Sequence, residues 1–461
     1  MASFAHWADV LKGQEDVRTQ AWNKVLSKEQ VEAACRREKY SWRDRFWVPL
    51  RVLQTFLIQV LHTACSCGDA VAMTLADLAA SGQDVHRVSS DPSAYAGARK
   101  RLPENVVRWV FRTIGQCLRD WAADGHKFCG RRVWMVDGTT CSMPDTPSLQ
   151  EAFGQPSSQK PGCGFPVARI VGLFCWASGA VVDVAIGQYR KSELALWRTL
   201  WGCLGPGDIA LADRYYCNYA DIVGLQRQKA DVVFRLHQRR KADFRRGKRL
   251  SKDDRLMTWQ RPVKSARPRG MSVDEWERLP ETLTVRILRA AVGTRGFRCR
   301  SVVIATTLLD PVEFPAEKIV ALYGDRWTIE LRLRDLKTML GMDVLRGKSP
   351  GVVRKEIYMH LAAYNMVRML MWQAAEQYGQ DLHRMSFAGA VDRLNAIWPY
   401  LLLLAGTERA ATLYDLVLRW IAENKLPHRP NRVEPRAVKR RPKEYARLNR
   451  PRHKMREALM R

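Results

Sequence analysis

What is scarce in this sequence is negative charge. Over 461 residues, 47 Asp and Glu stand against 76 Lys and Arg, a formal net charge of +29. A compact chain with that surplus repels itself unless a polyanion sits on it. Nucleic acid is the first such partner to consider, and an anionic membrane surface is the second. A long uninterrupted apolar run is also missing. The longest stretch, 46–64, is broken by Arg51, Gln54, Gln59 and His62, so it reads as a buried amphipathic helix and not as a membrane span. The opening residues are mixed and include Asp9, which does not suit a secretory leader. With 11 cysteines in a chain of that kind, reduced thiols in the cytoplasm are expected. His62, Cys65 and Cys67 lie close together, but no second pair follows at zinc spacing, so no zinc site is expected there.

The positive charge comes in blocks. Residues 235–269 hold 14 Lys and Arg against 3 acids, and residues 427–461 hold 13 against 3. Blocks of this kind read as polyanion-binding surfaces, or more plainly as a solvated face and a disordered tail. The 16 tryptophans suit stacking on bases, although such residues more often fill cores.

Along the chain, residues 1–125 read as helical, with Ser90-Asp91-Pro92 and Pro103 as helix starts. The basic cluster Arg99-Lys100-Arg101 fits DNA binding by such a domain without demanding it. The pattern changes at Arg131. Strands are predicted at 133–136, 167–176 and 181–186, a helix at 192–204, a strand at 208–212, a helix at 218–229 and a strand at 231–236. That order predicts a mixed α/β fold in which a meander feeds parallel crossovers. After the basic block come strands at 282–288 and 299–306 and one long helix over 315–340. Three further helices at 353–378, 384–405 and 411–424 precede a tail expected to be largely disordered when free.

Two aspartates stand at strand ends, Asp137 before Gly138 and Asp213 after Ala212. Strand ends of an α/β sheet face a crevice and carry sites. A third carboxylate, Glu330, lies on the long helix. At 100° per residue, Tyr323, Arg326, Arg334 and Lys337 fall within about 40° of it. Leu322, Ile329, Leu333, Leu336 and Leu340 form the neighbouring buried stripe, and Arg332 and Asp335 are placed on the far side. Several carboxylates around two divalent cations roughly 3.5–4 Å apart are what two-metal phosphoryl chemistry needs. Hard oxygen ligands favour Mg²⁺ or Mn²⁺. Taken singly, Asp137 also reads as a turn residue, Asp213 as a cap and Glu330 as part of a solvated face.

Tyr323, Arg326, Glu330 and Lys337 follow the spacing Y-x2-R-x3-E-x6-K. With Val136-Asp137-Gly138-Thr139-Thr140, Ala212-Asp213-Arg214-Tyr215-Tyr216 and the loop from Phe153-Gly154 to Phe165-Pro166, the chain resembles the DDE transposases of bacterial insertion sequences, in the family numbered four. The likeness spans about residues 85–370. It implies an RNase H-like catalytic core interrupted by a β-rich insertion, and 117 residues separate Asp213 from Glu330 here. The implied organisation is a helical end-binding domain at 1–125, core at 126–236, basic insertion at 237–296, core with the catalytic helix at 297–378, C-terminal helices at 379–426 and a basic tail at 427–461.

The resemblance also implies cleavage at transposon ends and strand transfer by cut-and-paste through a DNA hairpin. The partners are double-stranded DNA, as terminal inverted repeats and target, and a second copy of the chain in a homodimer. Asp137, Asp213 and Glu330 would hold two Mg²⁺ or Mn²⁺ ions. Arg326 and Lys337 would grip phosphates, Tyr323 would position the backbone, and Arg334 is a weaker candidate. An insertion-domain tryptophan would hold a flipped base. Trp259 is the best placed, with Trp276 the other choice and Trp327 stacking opposite, although Trp259 reads equally as a core residue. A bacterial cytoplasmic, nucleoid-associated location follows. An RNase H-like nuclease without strand transfer and a catalytically silent DNA-binding repressor stay open as alternatives.

Overall fold

The computed structural model describes residues 27–122, 126–263, 267–268, 271–291, 301–404, 407–427 and 450–460. The expectations for residues 1–26, for the start of the 299–306 strand and for most of the tail lie outside them.

The sheet begins with the predicted meander. β1 (Val133–Ser142) pairs antiparallel with β2 (Val167–Cys175), which pairs antiparallel with β3 (Val181–Gln188). The β2–β3 turn uses Gly179 at φ 74°, where a side chain is strained. On the other side of β1 lie two parallel strands, β4 (Ile209–Ala212) and β5 (Asp231–Arg235). Buried, β-branched and aliphatic residues fill both faces of this part, as parallel strands flanked by helices require. The order β3-β2-β1-β4-β5 is that of an RNase H-like core, and the fold class read from the sequence holds.

Strands from the 237–296 region do not form a sheet of their own. β6 (Lys248–Ser251), β7 (Asp254–Gln260) and β8 (Thr282–Ala291) extend the core sheet through β9 (Ser301–Thr306), which pairs antiparallel with β5. Nine strands therefore run in one sheet, β3-β2-β1-β4-β5-β9-β8-β7-β6. The Arg286 guanidinium, fully buried, donates to both Asp254 oxygens at 2.6–3.1 Å and to the Phe314 carbonyl at 2.7 Å. A buried ion pair satisfied in this way fixes the junction between the added strands and the loop that leads into the Glu330 helix.

The helix Pro350–Gln377 is the hub of the remaining elements. Its sequence is apolar nearly all round, and from Val352 to Ala375 almost every side chain is buried. Several of the polar groups on it bind backbone. Asn365 accepts from the Val181 amide and donates to the Val181 carbonyl, both at 2.8 Å. Lys355 donates to the carbonyls of Arg99, Lys100 and Leu102 at 2.7–2.9 Å, capping the helix Ser93–Arg101. The N-terminal helices are thus held to this hub, and the helix Glu104–Trp121 also meets the sheet directly, where Arg112 pairs with Asp183 of β3. Among the described residues, no helix is long and apolar enough to cross a membrane.

The long helix predicted at 315–340 is three pieces. Ala316–Asp325 ends at Arg326, a second helix runs Trp327–Arg334, and Asp335–Met339 widens into a π turn. At the join, amides bond three residues back, Arg326 to Tyr323 and Ile329 to Arg326. Leu322, Ile329, Leu336 and Leu340 are buried as expected. Arg332, placed on the outer side by periodicity, is also buried, at 4 % exposure. Its guanidinium reaches the Cys175 and Trp176 carbonyls at 3.3 Å. The Glu330 helix is therefore covered on two sides, by the sheet and by the β2–β3 turn with the C-terminal helices.

Candidate active site

Strand register places the two aspartates side by side. β1 and β4 run parallel with Met135 opposite Leu211. Continued two residues past this pairing, the same register sets Asp137 beside Asp213, which directly follows the end of β4. The strand expected to stop at Asp137 instead runs on to Ser142, so Asp137 lies midway along β1, at the level where β4 ends. Asp213 accepts from the Tyr215 amide at 2.7 Å, an Asx turn that fixes the carboxylate as the chain leaves β4. On its other side Asp137 faces Gly172 of β2, which has no side chain to cover it.

Burial pushes the Asp137 carboxyl up to about 6, and the neighbouring acids Glu193 and Asp213 push the same way; the Gly138 amide and the Arg326 guanidinium act against them. The Gly138 amide donates to Asp137 at 2.8 Å. Asp137 is thus a half-buried carboxyl acted on by acids and by Arg326.

Glu330 arrives from the helix Trp327–Arg334, which packs on β1 and whose Thr328 hydroxyl reaches the Met135 sulfur at 3.8 Å. Its Oε1 accepts from Arg326 Nη2 at 2.7 Å. Arg326 therefore serves both carboxylates, by contact with Glu330 and by proximity to Asp137. Tyr323 is half-buried nearby, its hydroxyl pushed up to about 12 by burial, with Arg326 and Arg235 opposing and Asp213 adding to the rise. Tyr323, Arg326, Asp137, Asp213 and Glu330 are therefore gathered in one place.

The remaining candidates are spread out. Lys337 lies half-buried in the π turn, close enough to act on the Cys141 thiol of β1. Arg334 is exposed and pairs with Asp335 at 3.7 Å. Trp327 is 48 % exposed, beside Arg326. Trp259 is 8 % exposed on β7, with the Arg240 guanidinium 4.1 Å from its ring centre. Trp276 is more deeply buried.

One group at the site has no place in the sequence reading. Glu193 opens the helix Glu193–Arg198 between β3 and β4, and its Oε1 accepts from the Tyr216 hydroxyl at 2.6 Å. Its carboxyl occupies the space that a side chain at Gly138 would take. The available signal was Ser192-Glu193, which looks like any helix start.

The donors present are carboxylate oxygens, the ligand type that hard divalent cations take. Asp137, half-buried and with the acids Glu193 and Asp213 close enough to act on it, fits such a cation. Among the described residues no three acidic, His or Cys side chains already converge as a ligand cluster, since Glu330 is turned to Arg326.

The transposase DDE domain family matches residues 129–366, a span that holds all three carboxylates. The chain belongs to this family. This transposase is 28% identical over 359 residues, 77% of this chain and 78% of the other, to transposase InsG for insertion sequence element IS4 of Escherichia coli strain K12. The alignment is longer than the domain, so the likeness continues beyond it. Among solved structures, the piggyBac transposase synaptic complex with hairpin DNA matches over 91% of this chain and 87% of that one, at 8% identity and a TM-score of 0.43. The family read from the Tyr323, Arg326, Glu330 and Lys337 spacing is the family found. Its members are polynucleotidyl transferases that act on DNA and generally use divalent metal.

Proposed function

We propose that this transposase excises a mobile element by cutting at its terminal inverted repeats, through a hairpin intermediate, and joins the freed ends to target DNA. Asp137, Asp213 and Glu330 are the residues that hold two Mg²⁺ or Mn²⁺ ions. When bound, such ions supply Lewis-acid activation of a water or 3′-hydroxyl and stabilisation of the leaving oxygen. The chain's own residues do the rest. Arg326 and Lys337 grip phosphate oxygens near the scissile bond, and Tyr323 donates to the DNA backbone. Arg334, exposed, is a more distant phosphate contact. Trp327 stacks on a base, and Trp259 receives a flipped base once the Arg240 guanidinium swings off its ring.

The observation that carries this reading is the parallel β1–β4 register, which pairs Met135 with Leu211 and so brings Asp137 and Asp213 close together, with Arg326 bonded to Glu330 and acting on Asp137. The helical region 1–125 would bind the element's ends, and the basic insertion and tail would hold flanking DNA. Two copies would act together, each on one end, in the cytoplasm at the nucleoid.

The test is cleavage of a duplex carrying the terminal repeats. Asp137→Asn, Asp213→Asn and Glu330→Gln are each expected to abolish Mg²⁺-dependent cleavage while end-binding persists, because a neutral amide is a poor metal ligand. Near-normal cleavage by any one removes that residue from the set. Nicking by the wild-type chain with neither hairpin nor joined product would point to a nuclease, and binding without cleavage to a silent repressor.

A further inference from the structure

Glu193 is bonded and packed as a residue of the site. Side chains alternate along a strand, so Met135 and Asp137 share one face of β1 and Gly138 belongs to the other. Thr328 touches Met135, which sets the Glu330 helix on the Asp137 face. Glu193 fills the space at Gly138, which sets it on the opposite face. A Cβ built at Gly138 would lie 2.3–2.8 Å from the Glu193 carboxyl atoms. The glycine is thus what admits a carboxylate from the second face to the middle of β1, next to Asp137.

The alternative is an acid that merely suits a helix N-terminus. That helix has six residues, and Ser192 already caps it by accepting from the Ala195 amide at 3.1 Å. The Glu193 carboxylate instead takes its hydrogen bond from Tyr216, three residues after Asp213. Tyr216 is 1 % exposed, and its hydroxyl is surrounded by Glu193, Asp137 and Asp213, all of which act on it. Burying a tyrosine to hold a glutamate among other carboxylates is costly unless that glutamate faces positive charge. Tyr216 engages Oε1, and Oε2 is the oxygen nearer to the Gly138 position, 2.5 Å from where a Cβ there would lie.

We infer that Glu193 is a fourth carboxylate of the cation site, oriented by Tyr216 and admitted by Gly138, so that acidic groups reach the middle of β1 from both faces of the sheet. The inference rests on the reading of Asp137 and Asp213 as cation ligands. Glu193 supplies negative charge and an oxygen donor on the side that Glu330 does not reach, and Tyr216 is a positioning residue that acts through it.

The test is direct Mn²⁺ binding to the full chain without DNA, read from loss of the free-ion paramagnetic resonance signal, beside the Mg²⁺ concentration that half-saturates cleavage. Glu193→Gln is expected to weaken Mn²⁺ binding by roughly 10–100-fold, the usual cost of removing a supporting group at a metal site. The Mg²⁺ half-saturation should rise in parallel. Gly138→Ala keeps every carboxylate, and its methyl meets only the end of a flexible side chain, so it should fold and yet weaken binding by displacing Glu193. Tyr216→Phe should give a smaller loss, and Glu193→Asp partial recovery. Wild-type Mn²⁺ binding by both Glu193→Gln and Gly138→Ala, with binding lost in Asp137→Asn, would overturn the role of Glu193 alone. Wild-type binding by Asp137→Asn as well would overturn the cation site itself. Should Glu193→Gln not fold, Gly138→Ala decides.

Discussion

At the scale of single residues, the site turns on how charge is shared. Among the described residues, Arg326 is the guanidinium that bonds Glu330 and lies close to Asp137. Its ion pair with the half-exposed Glu330 is worth about 0–1 kcal/mol to the fold. Its value in catalysis is larger, because a fixed donor aimed at a phosphate stabilises charge that develops in the transition state. Arg326→Ala is therefore expected to slow cleavage by on the order of 10²-fold while leaving the unfolding temperature nearly unchanged. Arg326→Lys should recover little, since an ammonium does not reproduce a planar fork. A large stability loss with normal cleavage would refute the role.

Asp335 gives a pH prediction away from the carboxylate site. Burial raises its carboxyl to about 6, with Arg334, Arg368 and Arg332 opposing. A folded-state value above the unfolded one means that the folded chain holds this proton more tightly. The contribution is full below the unfolded value, near 4, and is lost as pH rises to 6. Asp335→Asn cannot lose a proton. Wild type should therefore lose roughly 1–3 kcal/mol relative to this variant between pH 4 and 6, measured by denaturant unfolding. Parallel pH curves would show that the carboxyl is not shifted.

Residues differ in how far the sequence exposes them. That Asp137, Asp213 and Glu330 come together was legible because each stands in a fixed local pattern, an apolar strand running into an aspartate or a spaced helix motif. Glu193 was not, because only its contact with Gly138, 55 residues earlier, distinguishes it from an ordinary helix-start acid.

At the scale of elements, the Glu330 helix is held from behind. Arg332 and Arg368 bind the carbonyls of the β2–β3 turn, Arg368 reaching the Ser178 carbonyl at 2.6 Å. Gly179 lets them approach, since a Cβ there would lie 2.7 Å from Arg368 and 2.9 Å from Arg332, at a φ that side chains avoid. Gly179→Ala is expected to cost about 1–3 kcal/mol of stability and to lower cleavage by shifting the helix that carries Glu330. Unchanged unfolding would mean that the turn has room to relax. The stripes of this helix were readable from periodicity, but the break at Arg326 and the π turn were not. Periodicity records which residues are apolar, not where the backbone hydrogen-bond ladder shifts by a residue.

At the scale of the molecule, the continuous sheet matters most. The insertion was legible as β-rich and basic. Its continuation of the core through β9 was not, because pairing between distant strands leaves no mark in local composition. One continuous sheet then joins the middle of β1, where the acids lie, to the positive edge at β6. Lys248 and Arg249 are exposed on that edge strand, where cations also discourage pairing with another chain.

That placement gives the charge a test. Each phosphate neutralised contributes about −0.9 to the slope of log affinity against log salt. If the β6 edge lies along DNA, Lys248→Gln with Arg249→Gln should flatten the slope by about 1.8, to the same degree for terminal-repeat and unrelated duplexes. Neither residue forms an ion pair among the described residues, so their loss should leave the fold intact. Deleting residues 428–461 supplies the comparison, because that segment holds a second block of positive charge. If both surfaces hold DNA, the two changes should add in slope, since they remove separate phosphate contacts. The discriminating measurement is end-binding across a range of salt for wild type, each variant and their combination. A slope unmoved by the β6 substitutions would take the edge off the DNA path and leave it as protection for an open strand.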